Sequence, residues 1–212
     1  MARSSGPAGA ANGKISKMVF YQLNGQEVIR GLGIKKKIKS KNVLAQNNSI
    51  KLLMAFFNKI KPFIKAGFKN KAAGTIHNYH NLATAYNRMH AVTFEGQQPV
   101  ILYDKVLLSQ GTALLPKQPN VARDPEGLRF NWDIEPELPW STNQDQVMLL
   151  AWFPEISEAL FSTAGAHRST GTDLLPLPPS YRAIAAETYI AFVSEDRESV
   201  SNSVYLGSIT QN

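Results

Sequence analysis

Few residues in this chain could do chemistry, and the histidines come first. His77 and His80 lie three apart and, on a helix, would present two imidazoles to nearby faces. The other two histidines are His90 and His167, and no carboxylate occurs between positions 28 and 94 to complete a ligand set. A metal centre is therefore not expected. With no Cys, disulfides, thiolate nucleophiles and Cys-based zinc or iron–sulfur sites are excluded. Carboxylates pair two apart at Asp124/Glu126, Glu135/Glu137 and Asp196/Glu198; on turns such pairs are solvated or bind a cation weakly. Two glycine patterns fail. Gly9 to Lys14 would need Gly at position 8 and Ser or Thr at 15, where Ala8 and Ile15 stand, so it is no phosphate loop. Gly31-Leu32-Gly33 has Lys36 in place of a third glycine, so it is no dinucleotide fingerprint. No nucleophile, base and orienting group can be nominated together, and the expectation is a non-enzymatic protein without a cofactor.

What remains is cationic. The net charge of +7 conceals a partition. Residues 1–72 hold fifteen Lys or Arg against one acid, Glu27, a net of +14; residues 73–212 hold eight against fifteen acids, a net of −7. Arg30 is followed by the run Lys35, Lys36, Lys37, Lys39 and Lys41, then by Lys51, Lys59, Lys61, Lys65, Lys69 and Lys71. Lysines in such numbers neutralise phosphates and release counterions, and Phe20 and Tyr21 beside Arg30 could stack bases while the lysines follow the backbone. Three readings stay open: a polyanion site, docking of the basic segment on the acidic part of a neighbouring copy, and a solvated basic loop. For Phe20 and Tyr21 the alternative is packing against the hairpin's own partner. No helix-turn-helix, zinc-finger or RNA-recognition signature is present, so any DNA or RNA contact is expected to be independent of sequence.

The elements that position these residues follow from periodicity. Residues 1–17, rich in Gly, Ala, Ser and Asn, read as a flexible or extended arm. Met18 to Arg30 reads as a hairpin, because Asn24-Gly25 supplies the two positive-φ residues of a type I′ turn between β-branched and aromatic flanks. From Val43 to about Lys61, Leu44, Ile50, Leu53, Met54, Phe57 and Ile60 mark an apolar stripe at helical spacing. Pro62 interrupts that helix or opens another. A further helical pattern runs from Thr75, a candidate N-cap, to His90, so a helical pair joined near Gly67 to Gly74 is expected. Strand patterns follow at Val100–Ser109, Gly127–Trp132, Gln146–Phe153, Glu158–Ser162, Thr188–Ser194 and Ser203–Ile209. Leu174 to Pro179 reads as an edge segment, since proline cannot serve a central ladder.

The expected fold class is therefore α+β: an amino-terminal β-hairpin and helical pair, then an antiparallel immunoglobulin-like β-sandwich. The expected divisions are the arm over 1–17, a basic hairpin-plus-helices module over 18–95 and the sandwich over 96–212. Trp132, the aliphatic strands and the late Tyr189-Ile-Ala-Phe-Val strand before a Ser-rich turn are similar to the fibronectin type III class. Such a sandwich implies a spacer or binding module and no chemistry of its own.

Longer stretches resemble a family of bacterial proteins of unknown function, found mainly in the Bacteroidetes. They are Gly13-Lys-Ile with Val19 to Arg30, Ile60 to Phe68, Tyr103 to Gly111, Asp145 to Leu150 and Val200 to Gly207. The resemblance supports an architecture and transfers no site residue. The expectation is thus a structural, self-assembling protein, virion- or capsid-like, as of a phage, or nucleoid-associated, whose basic module touches nucleic acid or an acidic neighbour. The alternative is a monomeric adhesive or ligand-binding module that uses the sandwich loops around Pro136–Gln146 and Ala164–Thr172. The longest apolar run, Val147 to Phe153, falls well short of the roughly 18–20 residues that cross a bilayer. The start has no apolar secretory core. No membrane insertion is expected, and the cytoplasm, or a particle assembled there, is the expected location.

Overall fold

The computed structural model describes residues 3–4, 11–23, 26–33 and 40–210. Lys35, Lys36, Lys37 and Lys39 lie outside the described residues, as does the Asn24-Gly25 pair. The chain begins with a four-stranded antiparallel sheet in sequence order: β1 (Arg3–Ser4), β2 (Ala11–Ile15), β3 (Met18–Leu23) and β4 (Gln26–Gly31). The expected hairpin is β3 with β4, and its register joins Leu23 to Gln26 across two residues. Part of the expected arm is ladder-paired, since Gly13, Lys14 and Ile15 of β2 lie opposite Phe20, Val19 and Met18.

Three helices come next: α1 (Lys41–Lys59), α2 (Lys61–Ala72) and α3 (Tyr79–His90). The helical part has one helix more than the expected pair. Ile60 leaves the helical region at φ −116°, ψ 25°, and Pro62 opens the first turn of α2, where its missing N–H leaves no bond unmade. Gly67 lies inside α2 rather than in a connection. Thr75 does not cap α3. Asn78 does so, its side chain accepting from Asn81 N at 2.8 Å, while the Thr75 hydroxyl donates to Ala72 O at 2.9 Å.

A small hairpin, β5 (Val92–Glu95) with β6 (Gln98–Ile101), leads into the β-rich part. The strand expected over Val100–Ser109 stops at Ile101; a 3-10 turn occupies Tyr103–Lys105. Beyond it, side chains supply the bonds that a ladder would have made. Asn87 accepts from Leu107 N and donates to Leu107 O, each at 2.8 Å, and Ser203 Oγ accepts from Leu108 N at 2.8 Å. The sandwich strands are β7 (Asn120–Asp124), β8 (Gly127–Asn131), β9 (Gln146–Phe153), β10 (Glu158–Ser162), β11 (Thr172–Pro176), β12 (Ala186–Val193) and β13 (Val204–Ile209). A one-turn helix, α4 (Trp140–Asn143), precedes β9. One sheet runs β10-β9-β12-β13, the other β11-β8-β7, all antiparallel. Pro176 ends β11 on an edge, as expected of a proline-bearing segment.

The larger sheet is covered on both faces. Val147, Leu149, Ala151 and Phe153 of β9, with Ile190 and Phe192 of β12, point toward the smaller sheet and form a core with Leu128, Phe130 and Trp132. The alternate residues Met148, Leu150 and Trp152, with Tyr189, Ala191 and Val193 of β12, point toward the helices and meet Leu53, Phe56, Phe57, Phe63, Ile64 and Phe68. Double coverage is why Val147 to Phe153 reads as an unbroken apolar run instead of an alternating one. The helices and the sandwich thus share one core along this sheet. The close approach of α2 is set by Gly67: a Cβ there would lie 2.3 Å from Leu108 O, and Gln110 N donates to Gly67 O at 2.9 Å.

Candidate polyanion interface

The α2 sequence places apolar and cationic residues on opposite sides. Phe63, Ile64, Gly67 and Phe68 are buried against the sheet. Lys61, Lys65 and Lys69, four apart and all exposed, line the opposite face. Eight residues at 1.5 Å rise spread these ammonium groups over about 12 Å along the axis. That length covers three or four phosphates of one strand at about 3.4 Å each. No Asp or Glu occurs on α1, α2 or α3, and among the described residues these three lysines form no ion pair.

The other predicted cations take different places. Lys59 reaches across to β10 and pairs with Glu158 at 2.7 Å, so its charge is already met. Lys51 is exposed on α1. Lys41, in the first turn of α1, lines a cleft with Phe94 and Gln97. Lys71 lines a separate cleft of about 330 Å³ with Gln110, Thr112 and Glu198. On the amino-terminal sheet, Arg30 lies opposite Val19, whose other neighbour is Lys14. Tyr21 shares that face, being two residues from Val19. Phe20 points the other way, opposite Ile29. Only Tyr21 of the two aromatics therefore accompanies Arg30.

The histidines do not assemble. His77 precedes α3, so the expected helical spacing with His80 is not realised. His80 sits edge-on to Phe57 with ring centroids 6.0 Å apart, and burial, reinforced by the Lys61 charge, lowers its pKa. His167 Nδ1 is 2.8 Å from Gln144 O. Among the described residues no group of three His, Asp or Glu side chains is placed to hold a metal. Two carboxylates of the expected pairs tie turns instead. Asp124 accepts from Glu126 N and Arg129 Nε, which together hold its carboxyl below the usual range. Asp196 accepts from Ser194 Oγ at 2.6 Å and Glu198 N at 2.8 Å, with the same effect.

One buried charge pair carried no signal in the sequence. Arg168 is 2% exposed and Asp145 5%. The Arg168 guanidinium lies 3.8 Å over the Phe192 ring and donates to Asp145 Oδ2 at 3.2 Å and to Leu114 O at 2.8 Å. Its backbone carbonyl accepts from Trp132 Nε1 at 2.7 Å. Burial pushes the Asp145 carboxyl up, and Arg168 opposes that push. The network clamps the segment around Leu114 onto one end of the sandwich.

Among the described residues, no helix is long and apolar enough to cross a membrane. No curated protein and no solved structure matches the chain. One family pattern does match, over residues 10–207, and so takes in β2 to β4, the three helices and the sandwich as far as the middle of β13. The chain belongs to that family, the family of unknown function DUF6266.

Proposed function

We propose that the protein is a structural, self-assembling, non-enzymatic component whose helical face grips a polyanion without reading its sequence. The observation that carries this reading is the exposed row Lys61, Lys65 and Lys69, without an ion pair among the described residues and held on a helix whose other side is locked into the core. A rigidly mounted row loses less entropy on meeting phosphates than the same lysines on a loose chain. Lys35, Lys36, Lys37 and Lys39, just ahead of α1, add cations to the same half of the chain. A sandwich with strand orders β11-β8-β7 and β10-β9-β12-β13 supports assignment to the fibronectin type III or immunoglobulin-like class, which serves as spacer or binding module and brings no chemistry. The family resemblance implies a bacterial, Bacteroidetes setting. Within it, a virion or capsid-like particle and a nucleoid-associated protein both require a cationic face on a self-associating body.

The test is retention on immobilised heparin and on duplex DNA. Charge reversal at Lys61→Glu, Lys65→Glu and Lys69→Glu together should release the protein at much lower salt while leaving its thermal unfolding unchanged. Equal retention of variant and wild type would remove the polyanion role. The second reading, a monomeric module binding through its loops, is favoured by Trp140, which is 73% exposed at the sandwich end. It requires a mass by light scattering that stays monomeric at every concentration.

A further inference from the structure

The cleft between the start of α1 and the β5–β6 turn gathers side chains that the lysine row does not explain. Strand alternation sends Val92 and Phe94 to one face of β5. Val92 packs on the core shared by helices and sheet. Phe94, two residues further out, is 39% exposed and lines a cleft of about 360 Å³. Thr93 and Glu95 take the opposite face of the strand, which turns the Glu95 carboxylate away from that cleft. Lys41, Asn42, Ala45 and Gln46 of α1 and Gln97 of the turn supply the other side chains of the lining.

That lining offers an aromatic surface, three carboxamides and one ammonium group, and no carboxylate. Asn42, Gln46 and Gln97 are exposed, and their carboxamides make no hydrogen bond among the described residues. A carboxamide donates and accepts at once, which matches the paired donors and acceptors along the edge of a nucleobase. An aromatic face stacks on any base, and a lysine beside it meets the phosphate that the nucleotide carries. A neutral sugar also suits an aromatic surface ringed by amides. Charge decides between the two: the only charged group of the lining is cationic, α1, α2 and α3 hold no acid, and Lys35, Lys36, Lys37 and Lys39 stand just ahead of Lys41 in the chain.

We propose that this cleft takes one unpaired base of a single-stranded nucleic acid, stacked on Phe94 and held at its edge by the carboxamides, with Lys41 on the adjoining phosphate. The inference rests on the polyanion reading above and names its ligand: a strand whose bases are free, in preference to a duplex, whose bases are paired and stacked on one another. A carboxamide turned over exchanges its donor and acceptor, so the contact accepts any base and agrees with binding that does not read sequence.

The test compares two labelled strands of equal length and charge by fluorescence anisotropy at one salt concentration, an oligothymidylate and an abasic strand with the same phosphates. Wild type should bind the base-bearing strand about tenfold tighter or more. Phe94→Leu, which keeps an apolar side chain without a ring face, should bring that ratio close to one and leave binding to the abasic strand unchanged. Gln46→Ala with Gln97→Ala, both at exposed positions, should lower the ratio in the same direction, and this variant decides the matter if the Phe94 variant fails to fold. The triple glutamate variant of α2 should weaken binding to both strands alike and keep the ratio. A wild-type ratio of one, or a ratio that survives both cleft variants, would overturn the base site while leaving the polyanion role standing. Binding of a neutral oligosaccharide that Phe94→Leu abolishes, with no preference between the strands, would overturn it in favour of a sugar. A wild type that binds neither strand nor heparin would overturn the polyanion reading and this inference with it.

Discussion

Replacing either member of the buried Arg168–Asp145 pair should be severe, and replacing both should be milder than the sum. In Asp145→Asn the guanidinium keeps Leu114 O and the Phe192 face but loses its counter-charge while only 2% exposed. In Arg168→Met the carboxylate of Asp145, 5% exposed, loses its ion-pair partner. Removing one partner of a buried pair costs about 3–5 kcal/mol, which for a chain of this size lowers the melting temperature by roughly 10 °C. The double variant leaves no charge stranded, so its loss should fall near that of one single variant, giving a coupling energy of about 3 kcal/mol. Urea unfolding of all four proteins, followed by tryptophan fluorescence, measures the cycle. Single losses below about 1 kcal/mol, or losses that add within 0.5 kcal/mol, would refute the claim that this pair clamps the Leu114 segment.

Three further outcomes follow from the same geometry. Gly67→Ala would be favourable in an isolated helix by about 1 kcal/mol, but the new Cβ would meet Leu108 O at 2.3 Å, so a loss of about 1–3 kcal/mol in chemical denaturation is expected; a gain would show that α2 does not press on that segment. Phe56→Ala removes a ring whose centroid is 4.5 Å from that of Trp152 and should cost about 3–5 kcal/mol, with helix and sheet signals still lost in one transition. Two separated transitions, the second unchanged from wild type, would show that the helices and the sandwich do not share a core. The Asp196 carboxyl is held below its ordinary value of 3.8 by the Ser194 hydroxyl and the Glu198 amide. Its stabilising effect is therefore complete above that value and is lost as pH falls through the lower, folded-state value. Protection of the Glu198 amide, its exchange rate relative to that of an unstructured peptide at the same pH, should fall on acidification over that range, and Asp196→Asn should abolish that fall.

Much of the architecture was legible because it is written in periodicity. The β3–β4 hairpin, β9, β10, β12 and β13 lie within a few residues of their expected places. Leu128 and Phe130 are buried on one face of β8, as their alternation requires. What was missed has physical reasons. β7, Asn-Val-Ala-Arg-Asp, is a polar edge strand with a single large apolar residue, Val121, and gives no alternation to detect. The segment after Ile101 has strand composition, but its backbone is satisfied by Asn87 and Ser203, residues distant in sequence. Thr75 and Asn78 are both good caps, and no local rule chooses between them.

The third layer did leave a trace: seven unbroken apolar residues in β9 mean a strand covered on both faces, and the helices were the available cover. For the site, helical spacing alone aligns Lys61, Lys65 and Lys69. Pairing of Lys59 with Glu158, 99 positions away, could not be read locally. Arg168 in Ala-His-Arg-Ser-Thr resembles any loop arginine until Phe192 and Asp145 are folded around it.

The polyanion role is tested most directly by the salt dependence of binding to a single-stranded oligonucleotide. Affinities are compared for wild type, Lys59→Ala and the triple variant Lys61→Ala, Lys65→Ala, Lys69→Ala. If all three lysines of the row touch phosphates, the triple variant's log–log slope should be shallower by about 2, so that its deficit shrinks roughly 20-fold between 50 and 200 mM salt. Lys59, already paired with Glu158 at 2.7 Å, should leave the slope nearly unchanged. A triple variant with the wild-type slope would contradict the assignment of α2 as the binding face.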